Sequence, residues 1–222
     1  MILAIDTATR FISLALHDGK RLYLESTWLT ANNHSTELSP AIRAAFHQLR
    51  LSPSNLQAVA VAQGPGSFTG LRIGMGAAKG IALAQGIPLI AVPTLEIVAA
   101  AVHPATQPLI ALVQAGRGRV CAQTFRHQNG GWIATDQAQV TTWDNLFANI
   151  SESTLVAGEV DEQAYLVLAA SHAPVQILPP AVSLRRAGYL AQIAWARLAA
   201  GQADDPRTVV PIYLHQPGAP HP

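Results

Sequence analysis

The run 64–74 reads Gly-Pro-Gly-Ser-Phe-Thr-Gly-Leu-Arg-Ile-Gly, and it constrains the chain more than any other stretch. Residues 58–62 before it, Ala-Val-Ala-Val-Ala, form an uninterrupted apolar run of strand length. Residues 71–85 after it contain no proline and are rich in alanine. The local reading is strand, tight turn, helix. Gly64-Pro65-Gly66 ends the strand and permits the positive φ that a sharp turn needs. Ser67 and Thr69 are both residue types that cap a new helix, because their hydroxyls accept from its first free N–H groups.

The helix is built from small residues: Gly70, Gly74, Gly76, Ala77, Ala78, Gly80, Ala82 and Ala84. Each interior glycine costs roughly 1 kcal/mol against alanine. Close approach of another backbone is the physical use that offsets such a cost. Gly70, Gly74 and Ala78 recur at every fourth position and share one face. That face meets the sheet, another helix of this chain, or a partner. A second reading competes, since a glycine turn that opens a helix presents free N–H groups suited to phosphate. Yet no P-loop lysine follows, and Gly64 with Gly66 is not a full dinucleotide fingerprint.

At 222 residues the chain holds one large domain or two lobes. Half of its residues are hydrophobic and only 12% are charged, about half the usual charged share. Fourteen Lys and Arg against thirteen Asp and Glu leave a net charge of +1. Nothing in that balance steers the chain to nucleic acid or an anionic membrane. A sparsely charged surface fits burial in an assembly, and equally a compact alanine-rich protein. The single cysteine, Cys121, excludes an intramolecular disulfide and a cysteine zinc cluster. It lies in an alternating, strand-like stretch and reads as a buried structural thiol. The opening Met-Ile-Leu-Ala-Ile-Asp has no basic region, long apolar core or cleavage site. No run of about 18 apolar residues occurs. The expectation is a cytoplasmic protein without a membrane partner.

In chain order, residues 2–5 read as a short buried strand and Asp6-Thr7-Ala8-Thr9 as a polar turn. Strands over 12–16 and 22–28 meet at Asp18-Gly19. Asp6 either works through a metal or accepts from turn amides. The segment from His34 opens a helix to about residue 49, with Leu38, Ile42, Ala45, Phe46 and Leu49 on one face. Pro40 suits a first turn, and Glu37 suits the positive end of the helix. His34 has no second histidine one turn on, so it reads as a cap or interface residue. Residues 88–93 read as a buried parallel strand, completing β-β-β-α-β-α-β. The proline-bounded segment 104–108 is the expected lobe boundary. Beyond it, 109–113 and 120–125 form a hairpin around Ala115-Gly116-Arg117-Gly118. There Arg117 and Arg119 either hold an acidic partner or stand in solvent. Asn129-Gly130-Gly131 is a second hairpin turn. Helices over 142–150 and 161–170 alternate with strands over 155–158 and 175–178. A last helix spans 184–200, capped by Ser183 and stopped at Gly201. No internal repeat is visible.

The string 64–74 resembles the signature of the TsaB (YeaZ) family, paralogues of the threonylcarbamoyl transferase TsaD within the actin-like ATPase superfamily. The helix from His34-Ser35-Thr36 to Pro40 is similar to the family's His-Ser-Glu…Pro helix, with Thr36 in place of Glu. The segment 209–214 resembles the closing Pro-x-Tyr-Leu, and His215 stands where the family often has Arg. Gln114-Ala115-Gly116-Arg117 departs from the family's Asp-Ala-Arg. The likeness therefore extends over most of the chain. It implies an α/β, two-lobed actin-like ATPase (ASKHA) fold with mixed sheets flanked by helices. Residues 1–104 would form the first lobe and 105–216 the second, with the last helix packing back on the first and 217–222 a mobile tail.

The resemblance also implies a partner-binding face on two helices, carried by His34, Leu38, Ile42, Phe46, Gly70, Arg72, Ile73, Gly74, Ala77, Ala78 and Ile81. Asp6, Thr7, Gly66 and Ser67 would form the phosphate-facing turn of the fold. TsaD-type enzymes place two metal-binding histidines one helical turn apart, just beyond the strand that matches 89–92. Thr94 and Val98 stand at those places here. Glu96 alone cannot replace the pair, and His103 reads as a loop residue. The implied role is a non-catalytic scaffold and dimerisation subunit of the tRNA threonylcarbamoyladenosine machinery. It would bind and activate a TsaD-like protein and help recruit a TsaE-like ATPase. It would form a homodimer when that partner is absent, and reach tRNA only through the complex. No cofactor is required by this chain, while ATP and metal are expected on TsaD and TsaE. The competing reading is an actin-like nucleotide-binding enzyme using Asp6 and the 64–74 turn for its own ATP-dependent activity. A protease reading fails on the missing histidines.

Overall fold

The computed structural model describes residues 1–31 and 33–214; His215 and the expected tail 217–222 lie outside them. The chain divides into two compact units. The first joins Met1–Ile97 to Arg186–Ile212, and the second is Val98–Arg185 with Tyr213 and Leu214. The division falls between Ile97 and Val98, ahead of the prolines at 104–108.

In the first unit, β1 (Ile2–Asp6) is buried at every residue and so takes the centre of a sheet. β2 (Phe11–His17) and β3 (Leu22–Leu29) follow it as antiparallel neighbours. β4 (Ala58–Gly64) and β5 (Leu89–Pro93) add parallel strands on the other side. The order is β3-β2-β1-β4-β5. Strand residues alternate between the two faces of a sheet. Leu3 and Ile5 of β1, Val59 and Val61 of β4, and Leu89 and Ala91 of β5 therefore enter one core. That core is closed by α1 (His34–Gln48) through Leu38, Ile42 and Phe46, and by α2 (Phe68–Gln85) through Met75, Ala78 and Ala82. The last helix among the described residues, α7 (Ala187–Ala199), packs on β1 and β2. Its Ala187 N–H donates to Ser13 Oγ at 2.8 Å and its Gly188 N–H to Glu25 Oε1 at 2.7 Å. Ser13 lies between Ile12 and Leu14, which enter the α1–α2 core, so α7 covers the opposite face.

Of the two residues offered as caps for α2, Ser67 takes the place, its Oγ accepting from Gly70 N–H, so the helix starts at Phe68. Two local expectations are corrected here. Pro40 stands inside α1, beyond its first turn. A short helix, α3 (Thr94–Ala100), follows β5 where no element was expected.

The second unit centres on β6 (Leu109–Gly116), paired antiparallel with β7 (Arg119–Gln128), which pairs with β8 (Gly131–Ala134). The β7–β8 turn holds Asn129 at φ 52° and Gly130 at φ 82°, the pair of left-handed residues that a tight hairpin requires. β9 (Gln139–Thr142) pairs with β7 and leads into α4 (Trp143–Ala148), capped by Thr142. β10 (Thr154–Gly158) lies parallel to β6, and β11 (Val175–Ile177) lies parallel to β10. α5 (Glu162–Ser171), capped by Asp161, joins β10 to β11. α6 (Pro180–Ser183) ends the unit's helices. The expected helix over 184–200 starts three residues late, as α7 after Arg186, and its expected cap Ser183 instead ends α6 and donates to Leu178 O at 3.2 Å.

The sheet order here is β11-β10-β6-β7-β8. Read from the hairpin side, it repeats the first unit: a central strand, two antiparallel strands on one side and two parallel strands on the other. The sequence shows no repeat, but the topology is duplicated. Cys121 of β7 is 4% exposed, and burial pushes its thiol up to about 11, which removes the thiolate that reactivity needs.

Candidate functional site: the glycine turn and the outer surface of α1 and α2

The turn between β4 and α2 is closed onto the turn after β1. Ser67 N–H donates to Ala8 O at 2.6 Å. A Cβ on Gly66 would lie 2.0 Å from that same carbonyl oxygen, and a Cβ on Gly70 would lie 2.2 Å from Thr7 O. Thr7 Oγ1 donates to Gly70 O at 2.8 Å, and a Cβ on Gly74 would meet Thr7 Oγ1 at 2.1 Å. These glycines let the N-terminal half of α2 lie directly against the β1–β2 turn. Asp6, 1% exposed, accepts from Ala8 N–H at 2.9 Å through Oδ1. The residues of the expected phosphate-facing turn are therefore brought together. The carbonyl oxygens of Thr7 and Ala8 lie against Gly70 and Gly66, and the N–H groups of Ala8, Ser67 and Gly70 donate within the chain.

The residues matched to the family's metal histidines have structural partners. Thr94 Oγ1 accepts from Gly64 N–H at 3.1 Å, and Val98 is buried. Glu96 accepts from Arg197 at 2.6 Å. Among the described residues, no group of three His, Cys, Asp or Glu side chains is placed to hold a metal ion.

Of the eleven residues expected to face a partner, seven point inward. His34, 4% exposed, donates from Nε2 to Thr9 O at 2.7 Å. Leu38, Ile42, Phe46 and Ala78 belong to the core, and Gly70 and Gly74 are filled by Thr7. Ile73, Ala77 and Ile81 are half-buried beside that core, while Arg72 is exposed with its guanidinium 3.8 Å over the Phe68 ring. The apolar periodicity that selected these residues marks the face turned to the chain's own sheet. The outer crest of α2 is its complement, and sequence reasoning passed over it. Gly76 and Gly80 sit there, exposed, with no atom within 4 Å of where a Cβ would stand. Ala84 continues the line and Leu83 beside it is 52% exposed. The signal was available: at 100° per residue, Gly76 and Gly80 fall opposite Gly74 and Ala78.

Two units of the same mixed topology, each a five-strand path with helices, define an α/β protein of the actin-like ATPase fold. Component A of (R)-2-hydroxyglutaryl-CoA dehydratase from Acidaminococcus fermentans shares it, with a TM-score of 0.53 over 89% of this chain and 98% of that one. At 12% identity the likeness concerns the fold alone. Two solved structures from Pseudomonas aeruginosa match more fully, one of YeaZ and one of an uncharacterized protein with similarity to peptidase YEAZ. Their TM-scores are 0.79 and 0.81 at 25% identity, each covering 96% of this chain and 99% of the other. The family model described as TsaD, tRNA N6-adenosine threonylcarbamoyltransferase, matches residues 28–219. The TsaB proteins of Bacillus subtilis (strain 168) and Escherichia coli (strain K12), named for tRNA threonylcarbamoyladenosine biosynthesis, are 34% and 38% identical over 58% and 59% of this chain. Those matches span 56% and 58% of the two relatives' own lengths. The chain belongs to the TsaB/YeaZ family, within the group that the TsaD model describes.

Proposed function

We propose that the chain is a non-catalytic scaffold subunit in tRNA threonylcarbamoyladenosine biosynthesis, docking a TsaD-like partner on the outer surface of α1 and α2. The observation that carries this reading is the pair Gly76 and Gly80. Two glycines inside a helix cost about 1 kcal/mol each, and these two admit no neighbour of their own chain. A second backbone resting on the crest is the use that offsets the cost. The same surface would serve the homodimer when the partner is absent. The assembled pair would recruit a TsaE-like ATPase and hold the tRNA, in the cytoplasm, with ATP and metal bound by the partners. The absence of chemistry on this chain is supported by Thr94, Glu96 and Asp6, whose polar groups serve the fold. The nucleotide-enzyme reading has less to rest on, because Ser67 N–H is held by Ala8 O and Gly70 N–H by Ser67 Oγ.

The test is to mix the chain with the TsaD-like protein of the same organism and read the mass by size-exclusion chromatography with light scattering. A one-to-one complex is expected, lost in Gly76→Leu and Gly80→Leu chains that melt like the wild type. No complex at micromolar concentration, with or without ATP and the TsaE-like protein, sinks the reading. Calorimetric titration with ATP would then take up the enzyme alternative.

A further inference from the structure

Resting on that docking surface, we propose that its charge selects an acidic partner chain over a second copy of this one. Between Asn33 and Ile87 the sequence holds four Lys and Arg residues, Arg43, Arg50, Arg72 and Lys79, and a single carboxylate, Glu37. The chain as a whole is nearly balanced, with fourteen cations to thirteen carboxylates, so the imbalance is local. Arg43, Arg50 and Arg72 are exposed and Lys79 is half-buried. Glu37 keeps its negative charge but is turned to β3, where Trp28 Nε1 donates to one of its oxygens at 2.7 Å and Thr30 Oγ1 to the other at 2.9 Å, and one carboxylate against four cations leaves the stretch positive. Both helices close the same core on one face of the sheet, so their outer surfaces lie side by side. Arg43 follows Ile42 directly, about 100° further round α1, and stands exposed on the flank of the helix. The result is a cationic surface around a smooth glycine crest.

A two-fold dimer presents the same patch twice. Pairing two such surfaces brings cation to cation, and like charges across an interface are costly. A partner with carboxylates beside a close-packing helix gains where the copy loses. An RNA backbone would satisfy the cations but has no shaped apolar surface for Gly76, Gly80 and the half-exposed Leu83. The charge thus orders the assemblies: the mixed pair forms first, and the homodimer is the fallback.

Salt distinguishes them by sign. Exposed charges are largely screened beyond about 3 Å at 1 M salt and about 10 Å at 0.1 M. Sedimentation and titration of the full chain would be run from low to high salt, alone and with the TsaD-like protein. The mixed pair should weaken at least tenfold as salt rises. Arg43→Glu with Lys79→Glu should weaken it at least tenfold at low salt and flatten its salt dependence. Arg207→Glu, exposed and outside this surface, controls for net charge and should change neither. A mixed pair that ignores salt, or binds the double variant as well as the wild type, overturns the inference and leaves the docking reading standing. The absence of any mixed pair removes both. Binding of tRNA by the isolated chain, lost in the double variant, would overturn the acidic-protein partner in favour of RNA.

Discussion

Within α2, four glycines of one residue type do opposite things, and substitution separates them. At Gly70 an added methyl group would lie 2.2 Å from the backbone oxygen of Thr7, and at Gly74 it would lie 2.1 Å from the Thr7 hydroxyl. That hydroxyl is already committed to Gly70 O. Neither atom is the free end of a flexible side chain, so the helix must shift. Gly70→Ala and Gly74→Ala should each destabilise the chain by about 1–3 kcal/mol, the usual cost of overpacking. At Gly76 and Gly80 nothing stands within 4 Å, and only helix propensity acts. Gly76→Ala and Gly80→Ala should each stabilise it by about 1 kcal/mol. Urea denaturation of the four variants would check the signs. If Gly76→Ala or Gly80→Ala destabilised the isolated chain, those positions would face its own interior, and the docking surface would lose its basis.

Elements were legible in the sequence where local chemistry decides them, and illegible where distant partners do. The apolar run, the glycine turn and the alanine-rich segment gave β4 and α2, because each rests on its own residues. β9, with the unremarkable string Gln-Val-Thr-Thr, is a strand only because β7 lies beside it. The break between α6 and α7 comes at Leu184-Arg185-Arg186, helix-compatible residues. There the buried Arg185 guanidinium reaches Glu159 at 3.3 Å, a contact no pattern announces. The candidate site was legible only in part for the same reason: periodicity marks the inner face of α1 and α2, where seven of the named residues lie, and leaves the outer face as a remainder. The clasp at the start of α1 is a further non-local device. Trp28 of β3 and Thr30 both donate to Glu37, and these bonds, Trp28's first, hold its carboxyl below the ordinary value. A carboxyl depressed in the folded state adds stability above its unfolded pKa, and the contribution is lost as pH falls through the folded value. Glu37→Gln lacks that titration. The melting temperature of the wild type should therefore exceed that of the variant near neutrality and converge on it as pH falls below about 4. Parallel curves over that range would show that Glu37 is not held by Trp28 and Thr30.

At the scale of the whole chain, two sheets of one topology are threaded differently. The second unit runs almost unbroken from Val98 to Arg185, and its core of Ile110, Leu112, Val120, Trp143, Phe147 and Val156 comes from that stretch alone. The first needs α7, which arrives from the far end of the sequence. Ile2, Ala4, Ala60, Ile90 and Val92 are at or near zero exposure yet lie outside the core beneath α1 and α2. Alternation places them on the face that α7 covers. The edge of β5 depends on the same segment: Asp204 Oδ2 accepts from Ala91 N–H at 2.8 Å, and Arg197 donates to Ala91 O at 2.9 Å. These side chains occupy an edge that would otherwise pair with another molecule. Ending the chain at Arg185 should thus remove the cover of one sheet face and unblock one sheet edge together. Residues 1–185 should aggregate and lose the first unit's cooperative melt, while a fragment of 98–185 should melt cooperatively by circular dichroism. Adding a peptide of residues 186–214 to the truncated chain should restore its solubility. A soluble, cooperatively melting first unit without α7 would mean that the sheet is complete before the last helix arrives, and that the chain's return is an addition to the fold rather than a condition of it.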